Sequence, residues 1–545
     1  MNGLFGHIEK ERLTRSTFLR GSLALAGACL LETIPIKSEA QTRGGVLSMI
    51  VQPEPPTLAA YMNTSAGTRV VTTKVYENLV GLDFNLKPVP QLAKTWTVSQ
   101  DGKSITFHLQ DGVRWHDGKP FTSADVKFSM MEVLKKYHPF DRTMLHELQE
   151  VETPNELTAI FRLNHPAPYL LRGLGDTNSP IIPSHLFAST DVRNSEFANK
   201  PVGTGPFRFV EWQRGQFIRL ERNPNYWKPG LPRLDAIVAR IIPDASSRAD
   251  ALETGNVQIA GYVGGVPLED AKRLATLPNL TLTTKGVGFV NPYVALDFNT
   301  LRKPFDNQKV RQAIAYAIDR KFVAENIWFG FGKPATGPIS SNLAATGIYT
   351  SDVKNYNVSN GTEIASKLLD EAGYPRRADG IRFEMTHDIT PYGPEWKRFG
   401  EYVIQALAKI GIKATLRVED VPKWLHRVYT DYDFDLTSNS GAGWDDPVIG
   451  VYRYLLPSKK GVVLTNGTHW SSTRATALME AAIVENNSAK RNALYHELQR
   501  LVVEASPYVW VIEQEIPTLS SKKLHDAIVS GTGYVDSFSR AWLSR

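Results

Sequence analysis

TFHLQDGVRWHDGKPFTSADVKFS, residues 106–129, decides the reading of this 545-residue chain. Two Asp-Gly pairs punctuate it, Asp111-Gly112 and Asp117-Gly118. The glycine of such a pair supplies the positive-φ residue of a tight hairpin turn. Thr106, Phe107, His108 and Leu109 alternate toward the first turn, and Val113, Arg114 and Trp115 run to the second. Thr122 then stands where an N-cap belongs, with Asp125 three residues on, an acidic variant of the capping box. The spacing predicts two short strands and a helix near 123–136.

Outward from this stretch, GVLSMIVQ (45–52) predicts the first strand, broken by the prolines at 53–56, and a helix over 69–79 follows. A strand pair is expected around 148–163. The block PVGTGPFRFVEWQRGQFIRLERNPNYW (201–227) reads as two alternating strands joined at Gly215, after a flexible turn at Gly203 and Gly205. Next come a strand at 236–242, a helix at 245–253 closed by Gly255, and a strand at 257–260. Asp306 is expected to cap a helix whose apolar face is Val310, Ala313, Ile314, Ala317 and Ile318. Helices at 363–372, 394–409 and 422–430 then alternate with strands at 383–386, 413–418 and 433–437. Two further helices are read as capped by Ser472 and Ser488.

The formal charge of +6 is small for this length and the basic residues are scattered, which argues against a nucleic-acid partner. Lys10, Arg12, Arg15 and Arg20 precede an apolar stretch, GSLALAGACLL (21–31), too short to span a bilayer comfortably. With Ser38-Glu39-Ala40 as a small-x-small cleavage site, residues 1–40 read as an export signal. TRSTFLRG approaches a twin-arginine pattern, but Ser16 stands where the second arginine belongs, so Sec export fits at least as well. Cys29 is the single cysteine and lies inside the signal. A mature chain without it has no disulfide, cysteine nucleophile or thiolate metal site. The alternative, a lipid anchor on Cys29, rests on a poor lipobox at residues 26–29. G-x-S-x-G, H-E-x-x-H, phosphate-loop and G-x-G-x-x-G motifs are absent. His108 and His116 lack the clustered spacing of a metal site, and no cofactor is expected.

Trp96, Asp101, Gly102, Thr106, Phe107, Leu109, Gly112, Val113, Trp115, Asp117, Gly118, Pro120, Thr122, Ala124, Asp125, Val126 and Ser129 stand in one ordered pattern. In them the chain resembles the extracytoplasmic solute-binding proteins of ABC importers, in the family 5 branch that takes peptides, nickel, opines and related solutes. Blocks 201–227 and 294–331 extend the resemblance over nearly the whole mature chain. It implies an α/β periplasmic-binding-protein fold with two lobes, a hinge and an extra subdomain in the first lobe. Lobe I would comprise 42–80, 200–290 and 505–545, the subdomain 81–199, and lobe II 291–504. The apolar segment 508–512 would be a buried strand returning to lobe I. The implied protein is a periplasmic monomer and not an enzyme. It captures a peptide-like or opine-like solute between its lobes and delivers it to an inner-membrane permease.

A site between lobes puts weight on the loops where strands cross. TSNSGAGWDDP (437–447) follows an alternating strand and supplies Asn439, Gly443, Trp444 and Asp445. Small residues let a ligand approach the backbone, Trp444 offers a stacking plane, and Asp445 offers a partner for a cation. The plain alternative is a structural turn punctuated by Asp446-Pro447. Peptide binders of the family hold the ligand's amino terminus with an acidic residue four before this proline. That position is Gly443 here, and Asp445 reaches the role only with a one-residue gap. The departure points to a modified peptide, an opine-like conjugate or a sugar-containing solute. Asn63 and Thr64 follow the first strand, and Tyr262 and Gly264 follow the strand at 257–260. Trp424 and Arg427 share a helical face at i, i+3, with Arg427 either meeting a ligand carboxylate or simply solvated. Gln258 stands where the family usually has an acidic residue. Trp96, Trp115, Trp212 and Trp227 read as core. Two other functions stay open: a secreted hydrolase using Asp445 and Asp446, and a solute sensor docking on a chemoreceptor. Adjacent carboxylates point different ways, which makes that pair a poor acid–base dyad.

Overall fold

Two large sheets and a smaller one carry the chain, in a computed structural model that describes residues 43–175, 177–187, 191–262 and 265–545. The expected signal over 1–40, with Cys29, lies outside the described residues. None of the described helices is long and apolar enough to cross a membrane.

The first sheet has seven strands in the order Leu280–Thr283, Thr518–Ser521, Ile259–Ala260, Val46–Ile50, Ala236–Arg240, Phe217–Arg222 and Phe207–Gln213. Val46–Ile50 pairs in parallel with Ala236–Arg240 and Ile259–Ala260, and the other pairs are antiparallel. Gly215 makes the hairpin turn with φ +72°. Gln258 bonds to the first strand in both directions: its N–H donates to the Ser48 carbonyl and its Oε1 accepts from the Ser48 N–H at 2.8 Å. The helix expected over 69–79 covers Ala66–Thr72 instead. It stops there because the Lys74 and Val75 carbonyls accept from Phe207 and Gly205. A Cβ on Gly203 or Gly205 would collide with the Val75 carbonyl oxygen, so this crossing requires glycine.

The stretch 106–129 lies in a separate four-stranded antiparallel sheet, Ala93–Val98, Ser104–Leu109, Thr158–Leu163 and Leu148–Asn155. Gly112 and Gly118 take φ of +71° and +90°, as tight turns demand. Alternation buries Ile105, Phe107 and Leu109, with Phe107 edge-on to Phe161 at 4.9 Å. Asp125 ties the signature together. Its carboxylate accepts from the Thr122 N–H at 2.9 Å, the Trp115 indole at 3.3 Å and Ser184 Oγ at 2.7 Å. Glu77, nearly fully buried, accepts from Thr204, Tyr226 and Trp227 of the 201–227 block. Trp115 and Trp227 are thus held inside the fold, and Trp212 donates to Glu54.

The second large sheet has the order Gly332–Pro334, Tyr508–Gln514, Pro292–Phe298, Leu436–Ala442, Phe383–Asp388 and Ile412–Arg417. Pro292–Phe298 is buried at every position. Three local expectations shift. Tyr508–Gln514 belongs to this sheet, paired with Pro292–Phe298, and does not return to the first; the return is made by Thr518–Ser521. Asn307, not Asp306, caps the helix Gln308–Ala317, its side chain accepting from the Lys309 N–H. Asn487, not Ser488, caps Ser488–Ala505 by accepting from the Lys490 N–H. The helix Pro394–Lys409 runs as expected, from a proline in its first turn to Gly411 at φ +83°.

Candidate functional site

The chain leaves the first large sheet after Thr283, enters the second at Pro292, and returns between Gln514 and Thr518. Beside these crossings, side chains from four regions meet. Arg69 comes from the helix Ala66–Thr72, Tyr262 from the turn after Ile259–Ala260, and Phe289 from the crossing segment. Trp444 comes from the turn after Leu436–Ala442. The Arg69 guanidinium carbon lies 5.7 Å from the Tyr262 ring, 5.7 Å from Phe289 and 5.4 Å from Trp444. Arg69 Nη2 donates to the Tyr262 hydroxyl at 2.6 Å. Tyr262 and Phe289 stack at 6.2 Å, and Trp444 stands edge-on to Phe289 at 6.2 Å. Phe140 of the small subdomain closes the set, 5.1 Å from Trp444. An arginine among aromatic faces is favoured electrostatically, more so as water is removed.

The backbone here is under strain. Tyr262, Asn291 and Trp444 all adopt left-handed φ, at +59°, +46° and +51°. Each costs about 1–3 kcal/mol for a residue with a Cβ, and such costs cluster at ligand clamps. Hydrogen bonds enforce the geometry. The Trp444 N–H donates to the Val290 carbonyl at 2.9 Å, and Asn291 Nδ2 donates to the Trp444 carbonyl at 2.7 Å. The Gly443 N–H donates to the Asn291 carbonyl, and Asn342 Nδ2 donates to Asn291 Oδ1.

Asp446 anchors the same turn from behind. Its carboxylate accepts both terminal nitrogens of Arg491, at 2.8 and 3.0 Å, and caps Pro447–Gly450 through the Val448 N–H. Arg172 of the subdomain approaches the same carboxylate at 3.8 Å. An aspartate so committed is part of the frame, which removes one half of the Asp445–Asp446 pair considered for hydrolysis.

Of the residues picked from sequence, Trp444 and Tyr262 enter the cluster, with Gly443 and the buried Asp445 in the Trp444 turn. Gly264 lies outside the described residues. Asn63 acts one step removed: its Oδ1 accepts from the Ser65 N–H and from Thr68 Oγ1, shaping the start of the helix that carries Arg69. Thr64 is half-buried in that turn. Asn439 is corrected from loop to strand: it lies in the sheet interior, donating to Asp297 Oδ2 at 2.8 Å and to the Tyr429 hydroxyl. Trp424 is corrected to core, its indole donating to Thr437 Oγ1. Arg427 is corrected to a lobe-internal ion pair with Glu419, at 2.7 and 2.8 Å, and with Asp433. His116 is bonded through both ring nitrogens to the backbone at 203–205, and burial pushes its pKa down to about 4.

Sequence reasoning missed Arg69, Phe140, Phe289 and Asn291. The one available signal for Arg69 was a lone cation inside an otherwise small and apolar helix, AGTRVVT.

Comparison with known proteins follows the same outline. The sequence profile described as bacterial extracellular solute-binding proteins, family 5 Middle, matches residues 87–461. The glutathione-binding protein GsiB of Pectobacterium atrosepticum is 27% identical over 476 residues, covering 84% of this chain and 86% of that one. The periplasmic binding protein DppA of Helicobacter pylori, in complex with the peptide STSA, superposes with TM-score 0.74 at 28% identity. That match covers 92% of this chain and 99% of DppA. AgaA of A. tumefaciens R10, in complex with agropinic acid, does so with TM-score 0.71 at 28% identity, over 92% and 99% of the two chains. With the profile matched over most of its length, the chain belongs to the family 5 bacterial extracellular solute-binding proteins.

Proposed function

We propose that this chain is the periplasmic receptor of an ABC importer, exported on the signal over 1–40 and acting as a monomer. It captures one peptide-like or opine-like solute between its lobes and hands it to an inner-membrane permease. Lobe I takes 42–80, 200–290 and the end of the chain from about the return strand Thr518–Ser521, with 81–199 as its subdomain. Lobe II takes 291 to that return. The observation that carries this reading is the meeting of Arg69, Tyr262, Phe289, Trp444 and Phe140, drawn from both lobes, the crossing segment and the subdomain. The relatives are a glutathione-binding protein and two binding proteins in complex with the peptide STSA and with agropinic acid. Aromatic walls take the apolar parts of such a solute, and fixed polar groups set its orientation. Binding shifts an open–closed equilibrium and neither makes nor breaks a bond.

Mass spectrometry of solute released from the freshly purified mature protein identifies the ligand directly. A panel of peptides, glutathione and opines is then titrated in a thermal shift assay, with small-angle scattering for closure. At ligand concentrations about 100 times Kd, stabilisation is on the order of 2.7 kcal/mol, a rise of several degrees. A panel that leaves both the melting temperature and the radius of gyration unchanged sinks the peptide-or-opine reading.

A further inference from the structure

In the cluster, donors on Arg69 and Trp444 are left without a hydrogen-bond partner. Arg69 is only 5% exposed, yet its Nε and Nη1 have no hydrogen-bond partner. Its one bonded nitrogen, Nη2, uses the Tyr262 oxygen as acceptor, which leaves the phenol proton to be given elsewhere. Trp444 is 4% exposed, and its Nε1 is also unpartnered. That indole belongs to the ring 5.4 Å from the guanidinium carbon. Aromatic faces attract the cation but accept no strong hydrogen bond, so they leave a guanidinium edge unsatisfied. Buried polar groups are satisfied in nearly all native structures, and an orphan set at a cleft marks a place where something else completes it.

We infer that Arg69 is the specificity determinant of this receptor and that it fixes an anionic group of the solute, a carboxylate in a peptide-like or opine-like ligand. Two parallel N–H groups on one edge of a guanidinium match the two oxygens of a carboxylate. Nη2 carries two protons and gives one to Tyr262, so an edge of the guanidinium remains for the carboxylate; Arg69 supplies the charge, and the unpartnered Trp444 indole is a further donor in the same cluster. The rings exclude water around this contact and raise its selectivity against neutral solutes. Helix Ala66–Thr72 holds the base of the arginine through the Ser65 cap and Asn63, so the group is set in place before the solute arrives.

This inference rests on the solute-binding reading, and the test separates the two. Mature protein is stripped of bound solute by unfolding and refolding, then titrated calorimetrically with dipeptides, tripeptides, glutathione and an N-carboxyalkyl amino acid. Each is supplied as the free acid and with one carboxyl at a time converted to the amide. In the wild type, amidation of one particular carboxyl weakens binding at least 100-fold. In Arg69→Met the acid and that amide bind with similar, weak affinity, and Arg69→Lys keeps a partial preference for the acid. Equal affinity of acids and amides in the wild type overturns the role of Arg69 while leaving the receptor function intact. So does an acid preference that survives Arg69→Met. No binding by any member overturns both readings. If Arg69→Met does not fold, the wild-type comparison of acid with amide decides alone.

Discussion

Arg398 Nη2, on the helix Pro394–Lys409, stands 3.5 Å from Glu269 Oε2 on the helix Leu268–Leu274, an ion pair between a helix that connects strands of the second large sheet and one that connects strands of the first. Both side chains are about half exposed or more, so the pair contributes little to folding, typically about 0.2–1 kcal/mol. A contact between elements of the two large sheets favours the state that holds them together. Arg398→Gln is expected to raise the apparent solute Kd about two- to fivefold at low salt. Near 1 M salt, where the Debye length falls to about 3 Å, wild type and variant should converge. Calorimetry at two ionic strengths checks this, and an unchanged Kd at low salt counts against the contact as a closure aid.

Asp446 and Arg491 form a buried bidentate pair behind the Trp444 turn. Removing one partner strands a buried charge and costs about 3–5 kcal/mol. Asp446→Asn and Arg491→Met are both expected to lower the unfolding free energy, read from denaturant titration, by an amount in that range. Arg491→Lys should not restore it, because an ammonium cannot reproduce the fork. Solute affinity should fall at least tenfold in folded Asp446→Asn, since the turn that presents Trp444 loses its anchor.

Asp297 sits in the centre of the second sheet with one carboxylate oxygen bonded to Asn439 and the other unpartnered. Burial pushes its carboxyl up to about 7, against the opposing hydrogen bond from Asn439. An unfolded aspartate titrates near 4. Between about pH 4 and 7 the native state therefore keeps a proton that the unfolded state has released, and stability falls as pH rises through that window, levelling above it. Asp297→Asn removes this dependence. Its melting temperature should match wild type near pH 4 and exceed it at pH 8, by on the order of 4 kcal/mol in stability. A variant less stable than wild type at pH 8 rejects the assignment.

Trp444 reports on the cleft. It is one of 11 tryptophans, and it is the one in the interlobe cluster. Solute binding should change the tryptophan emission of the wild type, and Trp444→Phe should abolish most of that change. Because the phenylalanine ring still fills part of the space, the variant should stay folded, with affinity reduced roughly tenfold or more by loss of the indole N–H. A full-sized emission change in Trp444→Phe places the responding tryptophan elsewhere.

The local elements were legible because their signals are local. Asp-Gly turns, the Asp125 box and Pro394 act within a few residues of themselves. What is missing from such signals is the partner. Tyr508–Ile512 is apolar throughout, and a strand buried on both faces carries no mark of which sheet it will join. The stretch at Asn439 looked like a loop because it is small and polar, yet Asn439 bonds to Asp297 on the neighbouring strand and to the Tyr429 hydroxyl of the helical segment 427–431. Trp444 and Tyr262 were found because they sit in turns after strands. Arg69 was not, because its function arises only when residues 69, 262, 289 and 444 converge. Trp424 and Arg427 had the right chemistry, but nearby acceptors within lobe II claim it.

Thr518–Ser521 lies inside the first sheet, between Leu280–Thr283 and Ile259–Ala260. Synthesis delivers Val46–Ile50 first and this strand almost last, so the first sheet stays open until nearly the whole chain has emerged. The same order makes truncation near residue 517 a lesion of the first lobe, more than four hundred residues from where that lobe begins.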